Sequence, residues 1–257
     1  MKILFIHSEM LDDPISKRNK KKPLYFQNEI QFGISYISAV LKQNNHDTDL
    51  FVVTRYTKQR DLVSVIDGFK PKLICFSAVF REYDTVTRVA GFIKNTYPAI
   101  FLLAGGPHVS LNPEAAIKEV FDAICIGEGE YPVLELVEML EKGFKPSNIK
   151  NLWIKNGDRI ERNPTREFIR DLDGLPFPDR IIWQKWIKHQ GLFHVVLLGR
   201  GCPFNCTYCC NHALKQVSEG KYVRFRSPDN IISEIKEVVN LFPNIPYIFL
   251  EAEAINM

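Results

Sequence analysis

Four of the six cysteines in this 257-residue chain fall within nine positions, at Cys202, Cys206, Cys209 and Cys210. Cys202-Pro203-Phe204-Asn205-Cys206-Thr207-Tyr208-Cys209 has the spacing C-x3-C-x2-C. On one loop, three thiolates so spaced can each take a different iron of a cubane cluster and leave the fourth iron without a protein ligand. An open position is what a reactive centre needs, whereas a structural metal site closes its coordination. The same donors allow a second chemistry, in which Cys202, Cys206, Cys209 and either Cys210 or His212 close on a tetrahedral zinc. Common zinc patterns pair two Cys-x2-Cys arms across a longer spacer, which is absent here. Cys210 reads as a bystander thiol, because Cys209 already fills the third position. Cys75 and Cys125 sit far away in apolar, strand-like runs and read as small buried hydrophobes. Clustering of this kind does not resemble a secreted disulfide framework.

The elements that must position these cysteines alternate. Lys2–His7, Leu50–Val53, Leu73–Phe76, Ile100–Ala104 and Ala123–Ile126 are short apolar runs that predict buried strands. Between them lie helical spacings: Ile30, Ile34, Ile37 and Leu41; Leu62, Val65 and Ile66; residues 82–95; and Glu130–Glu141. Strands apolar throughout and separated by helices predict a doubly wound parallel-sheet α/β domain of the Rossmann-like, flavodoxin type over residues 1–145. Ligands of such sheets bind beyond the carboxyl ends of the strands. Residues 146–190 read as a hairpin around Asn156-Gly157 followed by a proline-punctuated connector, Asp173-Gly174-Leu175-Pro176-Phe177-Pro178. Residues 191–257 begin a new βα series. A strand at Phe193–Leu198 precedes the cysteines, a helix at Asn230–Leu241 turns Ile231, Ile232, Ile235 and Val238 or Val239 inward, and a strand follows at Ile245–Leu250.

Two strand ends carry glycine, at Gly105-Gly106-Pro107-His108 and Gly127-Glu128-Gly129-Glu130, where backbone must turn sharply or approach a ligand. The second is not a dinucleotide fingerprint. Pro132 replaces the third glycine, two glutamates would repel a pyrophosphate, and the fingerprint belongs after the first strand. A formal charge of +3 is too small for a nucleic-acid footprint. The basic run Lys17–Lys22 reads as a solvated loop rather than a phosphate patch. No apolar run reaches the ~20 residues of a spanning helix, and no secretory leader is evident. A cytoplasmic protein is expected.

Gly199-Arg200-Gly201-Cys202 through Cys209, with Arg224-Phe225-Arg226-Ser227-Pro228-Asp229 downstream, resembles the radical S-adenosylmethionine enzymes. Gly105–His108 and Gly127–Glu130, in that order, resemble the subfamilies carrying an N-terminal cobalamin-binding domain. Ser77-Ala78-Val79 is similar to the Ser-x-Leu element of cobalamin folds, with Val in place of Leu, and the 171–178 connector is similar to theirs. The resemblance implies a 4Fe-4S cluster on Cys202, Cys206 and Cys209, with S-adenosylmethionine on the unique iron. Reductive cleavage would then give a 5′-deoxyadenosyl radical that abstracts hydrogen from an unactivated carbon. It also implies cobalamin as methyl carrier or second redox centre. Tyr208 would meet the adenine, and Ser77, Gly105, Gly106, Pro107, His108, Gly127, Glu128 and Gly129 would border the corrin and its tail.

The implied partners are a small-molecule substrate, an electron donor such as flavodoxin or ferredoxin, and a second chain completing the barrel; no nucleic acid is expected. The chain departs from the pattern in two respects. It has no Asp-x-His-x-x-Gly, so the resemblance implies cobalamin without a protein histidine on cobalt. A complete βα barrel takes roughly 200 residues, and 65 follow from Phe193. Glu251 and Glu253 only approximate the acidic segment expected after the second barrel strand. The expectation is therefore a family member cut short early in its barrel. The competing readings are a non-catalytic cobalamin carrier and the zinc protein.

Overall fold

The computed structural model describes residues 1–9, 30–54, 56–187 and 193–254; the Lys17–Lys22 run lies outside them. Five parallel strands form the heart of one sheet: β1 (Lys2–Ser8), β2 (Asp47–Val53), β3 (Leu73–Ser77), β4 (Phe101–Gly105) and β5 (Ala123–Cys125). Helices α1 (Phe32–Gln43), α2 (Gln59–Phe69) and α3 (Tyr83–Thr96), the short α4 (Pro107–Leu111) and α5 (Pro113–Ala116), and α6 (Glu130–Glu141) connect them or follow them. The order β2-β1-β3-β4-β5 is that of the flavodoxin-like doubly wound fold, with its switch point between β1 and β3.

Side chains alternate across a strand, so each buried strand feeds two cores. Ile3 and Phe5 of β1 pack with Ile34 and Leu41 of α1 and with Val133, Leu136 and Val137 of α6. Leu4 and Ile6 pack on the other face with Ile66 of α2 and Val86, Ala90 and Ile93 of α3. The expected helical face of α1 is borne out at Ile34 and Leu41, which are buried, and at Ile37, which is half-buried, while Ile30 is buried ahead of the first helical turn.

The hairpin does more than link two regions. Strands β6 (Leu152–Asn156) and β7 (Arg159–Arg162) add to the same sheet, β6 antiparallel to β5 and β7 antiparallel to β6. The two loop residues are Gly157 and Asp158, with glycine at the first position, where a II′ turn places it. Beyond the hairpin, the connector runs back along α1. Trp183 is fully buried and its indole N–H donates to Ser35 Oγ at 2.8 Å. Asp179 accepts from Ser38 Oγ at 2.6 Å and pairs with Lys42 at 2.7 Å. Leu172 and Leu175 pack on Tyr36 and Val40.

The second unit holds β8 (Phe193–Leu197), β9 (Gly199–Arg200), α7 (Asn211–Leu214), β10 (Arg224–Phe225), α8 (Pro228–Leu241) and β11 (Tyr247–Glu251). Strands β8 and β11 pair in parallel, as in the opening of a βα barrel, and β9 pairs antiparallel with β10. Helix α8 starts where Ser227 Oγ accepts from the Asn230 N–H at 3.2 Å, with Pro228 at the first helical position.

The inward face of α8 differs from the apolar periodicity. Ile232 and Val239 are exposed, Ile231 and Ile235 are half-buried, and the fully buried positions are Val238 and Glu234. Glu234 takes an inward position because two arginines meet it there. Arg180 and Arg226, both buried, pair with its two carboxylate oxygens. Arg180 also donates to the Val195 carbonyl at 2.7 Å and Arg226 to the Leu197 carbonyl at 2.9 Å.

Candidate functional site

The carboxyl ends of β1, β3, β4 and β5 converge on one edge of the sheet. His7 of β1 is in register with Ser77 of β3, and Ser77 with Gly105 of β4. The β3 and β4 ends are stitched together, since the Ala78 N–H donates to the Gly105 carbonyl at 3.0 Å and the His108 N–H to the Ala78 carbonyl at 3.2 Å. Gly106 is required there. Its φ is +96°, and a Cβ would lie 2.8 Å from both the N and the O of Ala78. Gly106→Ala is therefore expected to lower stability by at least the ~1–3 kcal/mol of a strained non-glycine residue, read as a fall in the midpoint of thermal unfolding.

His108 is on α4 and stacks against Tyr83 at 4.1 Å and Phe80 at 5.8 Å between ring centroids. Burial pushes the pKa of the His108 imidazole down and so favours its neutral form, while the nearby Asp84 pulls the other way. Phe80 is 81% exposed and Val79 is exposed beside it, so β3 ends in an uncovered apolar surface. Polar groups without hydrogen bonds lie at the same edge. Both ring nitrogens of buried His7 and the hydroxyl of Ser8 lack hydrogen-bond partners among the described residues. Sequence reasoning missed His7, Ser8 and Phe80; the signal was the strand order, which sets the end of β1 beside the end of β3.

The Gly127–Glu130 turn follows β5. Gly127 N–H donates to Ser110 Oγ at 3.0 Å. Gly129 leaves room for α1, because a Cβ there would meet Ile37 Cδ1 at 2.8 Å. The Glu128 carboxylate accepts from Arg200 at 2.9 Å, from Arg224 at 3.0 Å and from the Ile169 N–H at 2.7 Å. Burial alone would raise its pKa, but Arg200 and Arg224 with their hydrogen bonds hold it below the usual carboxylate range. Glu130, which is buried where Glu128 is half-buried, accepts from Arg200 at 2.6 Å.

Cys202 and Cys209 are half-buried and Cys206 and Cys210 exposed, all as free thiols. The Cys209 N–H donates to the Cys206 carbonyl at 3.1 Å, closing a turn between two of the cysteines. Tyr208 projects outward, 92% exposed. The loop leads into α7, which lies against α4, so the cysteine loop and the glycine-rich strand ends are neighbours. No three His, Cys, Asp or Glu side chains among the described residues gather closely enough to hold a single metal ion. Four free thiols lie on this one loop, Cys206 and Cys209 at the two ends of its turn, and thiolates of this kind are the donors that iron–sulfur clusters use. Cys75 and Cys125 are buried in the sheet core, and burial pushes both thiols up, Cys125 to about 12, so they stay protonated.

An edge of this kind, at the end of a flavodoxin-ordered sheet, defines a ligand-binding α/β domain, and comparison with known proteins says which. Residues 27–137 match the B12 binding domain family. An uncharacterised methyltransferase of Pyrococcus horikoshii is 30% identical over 208 residues, 79% of this chain and 44% of that protein. The anaerobic magnesium-protoporphyrin IX monomethyl ester cyclase of Rubrivivax gelatinosus is 26% identical over 251 residues, 93% of this chain and 43% of the cyclase. Among solved structures, the cobalamin-dependent S-adenosylmethionine radical enzyme OxsB, with aqua-cobalamin and S-adenosylmethionine bound, superposes with a TM-score of 0.74 at 17% identity, covering 98% of this chain and 34% of that one. The radical S-adenosylmethionine methyltransferase TsrM of Kitasatospora setae, with cobalamin and a 4Fe-4S cluster bound, gives 0.70 at 14% identity, covering 98% and 49%. These two structures share the fold. The chain is thus similar to a B12 binding domain over residues 27–137 and, over most of its length, to proteins named for methyl transfer, for porphyrin cyclisation and for cobalamin-dependent radical S-adenosylmethionine chemistry, and it spans less than half the length of these curated relatives.

Proposed function

We propose that the chain is the cobalamin-holding and cluster-holding part of a cobalamin-dependent radical S-adenosylmethionine enzyme, with methyl transfer to an unactivated small molecule as the leading reaction. The observation that carries this reading is adjacency. The three-thiol loop leads into a helix packed on the Gly-Gly-Pro-His helix at the carboxyl edge of the B12-type sheet. When bound, the cluster supplies the electron that cleaves S-adenosylmethionine and cobalamin supplies the methyl carrier.

The chain's own residues have separable tasks. Cys202, Cys206 and Cys209 hold the cluster, and Tyr208 offers its exposed ring to the adenine of S-adenosylmethionine. Ser77, Gly105, Gly106, Pro107, His108 and the Gly127–Gly129 backbone border the corrin. Phe80 and Val79 give it an apolar surface. The His7 nitrogens and the Ser8 hydroxyl, which make no hydrogen bond among the described residues, suit the amide-rich rim of a corrin, since buried polar groups cost free energy until hydrogen-bonded.

An electron donor such as flavodoxin or ferredoxin would reduce the cluster. Further barrel units, in the same polypeptide or a second chain, would cover Tyr247, Phe249 and Leu250, which β11 leaves exposed. No helix among the described residues is long and apolar enough to cross a membrane.

Strictly anaerobic purification, followed by reconstitution with iron, sulfide and hydroxocobalamin, tests the proposal. The expected result is about four irons per chain and a retained corrin absorption spectrum. Stoichiometric zinc without sulfide, or no retained corrin, would overturn it.

A further inference from the structure

Arg200 and Arg224 stand directly opposite each other, paired in register on the two-residue ladder of β9 and β10. Like charges placed directly across a ladder destabilise it, and a ladder this short has little else to hold it. Its closing matters, because β9 and β10 are the two ends of the excursion that carries the cysteines, from Gly201 to Val223. The excursion also closes tightly, since a Cβ on Gly201, whose φ is +86°, would lie 2.3 Å from the Tyr222 carbonyl oxygen.

The counter-charge comes from the other unit. Glu128 accepts from Arg200 at 2.9 Å and takes the Arg224 guanidinium on both carboxylate oxygens at 3.0 Å, while Glu130 takes the second Arg200 amine at 2.6 Å. Each arginine is backed by an aromatic ring, Arg200 by Tyr36 at 4.8 Å and Arg224 by Phe168 at 5.1 Å. Both rings also belong to segments that precede the second unit. Arg224 further donates to the Ile169 carbonyl at 2.8 Å, and the Ile169 N–H reaches back to Glu128 at 2.7 Å. Each of the two carboxylates and two guanidiniums is thereby paired across the boundary between the units.

We propose that Glu128 and Glu130 are positioning residues that fasten both ends of the cysteine loop to the carboxyl edge of the sheet, fixing where the loop sits relative to the corrin edge. Gly127, whose φ is +82°, lets the backbone make the turn, and the two acids face the second unit. This rests on the reading that Cys202, Cys206 and Cys209 hold a cluster, but its first test needs no metal.

Hydrogen exchange of the full chain is compared between the unaltered protein and Glu128→Gln, which keeps the side-chain shape. Residues 199–226 are expected to exchange at least tenfold faster in the variant, with β3 and β4 unchanged. Glu128→Asp, which keeps the charge, should recover part of the protection. In reconstituted protein, Glu128→Gln should release iron to a chelator at least tenfold faster and alter the visible circular dichroism of the cluster.

Unchanged exchange in 199–226 would overturn the proposal. So would a tenfold weaker cobalamin affinity with the loop's protection intact, because Glu128 would then serve the corrin directly. An iron-free unaltered protein would remove the cluster reading, yet the exchange result would still decide whether the acids fasten the loop.

Discussion

Changing Cys206 to alanine should leave the reconstituted protein without its cluster, while the sheet domain folds and takes up cobalamin as before. Cys206 is exposed and its side chain supports no packing, so its removal costs the fold almost nothing. Its loss leaves two thiols where a cubane needs three points of attachment. The check is paired absorption measurement on anaerobic samples. The iron–sulfur absorbance should fall to background in the variant, while the corrin bands persist. Cys202→Ala and Cys209→Ala should behave alike, whereas Cys210→Ala should keep the cluster. A Cys210→Ala sample that lost its iron as completely as Cys206→Ala would mean that four sulfurs close the site, as a structural zinc requires.

The largest effect on stability is expected at Glu234. Its side chain is wholly enclosed between Arg180 and Arg226. Replacing it by leucine strands two buried guanidiniums, and breaking a buried pair from one side typically costs about 3–5 kcal/mol. The loss should appear as a lower denaturant midpoint for the transition of the second unit, followed by far-ultraviolet circular dichroism. Removing the charges together, as Arg180→Met, Glu234→Leu and Arg226→Met, should cost much less than Glu234→Leu alone, since no unpaired ion remains. Equal costs for the two variants would show that the arginine bonds to the Val195 and Leu197 carbonyls, rather than the ion pairs, hold α8 in place.

Much of the first unit was legible because burial on both faces writes a parallel strand as an unbroken apolar run. Leu73–Phe76 and Ile100–Ala104 come within a residue or two of the observed β3 and β4, and Glu130–Glu141 is the observed α6. The hairpin was legible as a hairpin but not as the continuation of the sheet. A turn signal fixes which two strands pair with each other, and says nothing of the third strand that the first of them will meet. Helix α8 was legible in extent and in most of its inward face, at Ile231, Ile235 and Val238, but not in its buried acid. Its aliphatic spacing marks an inward face without Glu234, yet Glu234 goes in because Arg180, 54 residues earlier, arrives to pair with it. No local periodicity carries that information.

The site divides in the same way. The cysteine spacing and the two glycine turns are local signals, visible in a line of text. His7, Ser8 and Phe80 belong to the edge only once the order β2-β1-β3 is known. Glu128 was legible as part of a motif, while the direction of its carboxylate depended on Arg200 and Arg224, roughly 70 and 100 residues later.

The indole of Trp183, enclosed against α1 and bonded to Ser35, gives the molecule an unusual optical asymmetry. The chain has three tryptophans, Trp153, Trp183 and Trp186, and all precede β8. Tryptophan emission, excited selectively over tyrosine, therefore reports on the sheet and its strap, and the segment bearing the cysteines contributes none of it. A visible chromophore held at either place would quench that light by an amount set by its distance, so one fluorometer could follow corrin uptake and cluster assembly as separate events in the same cuvette.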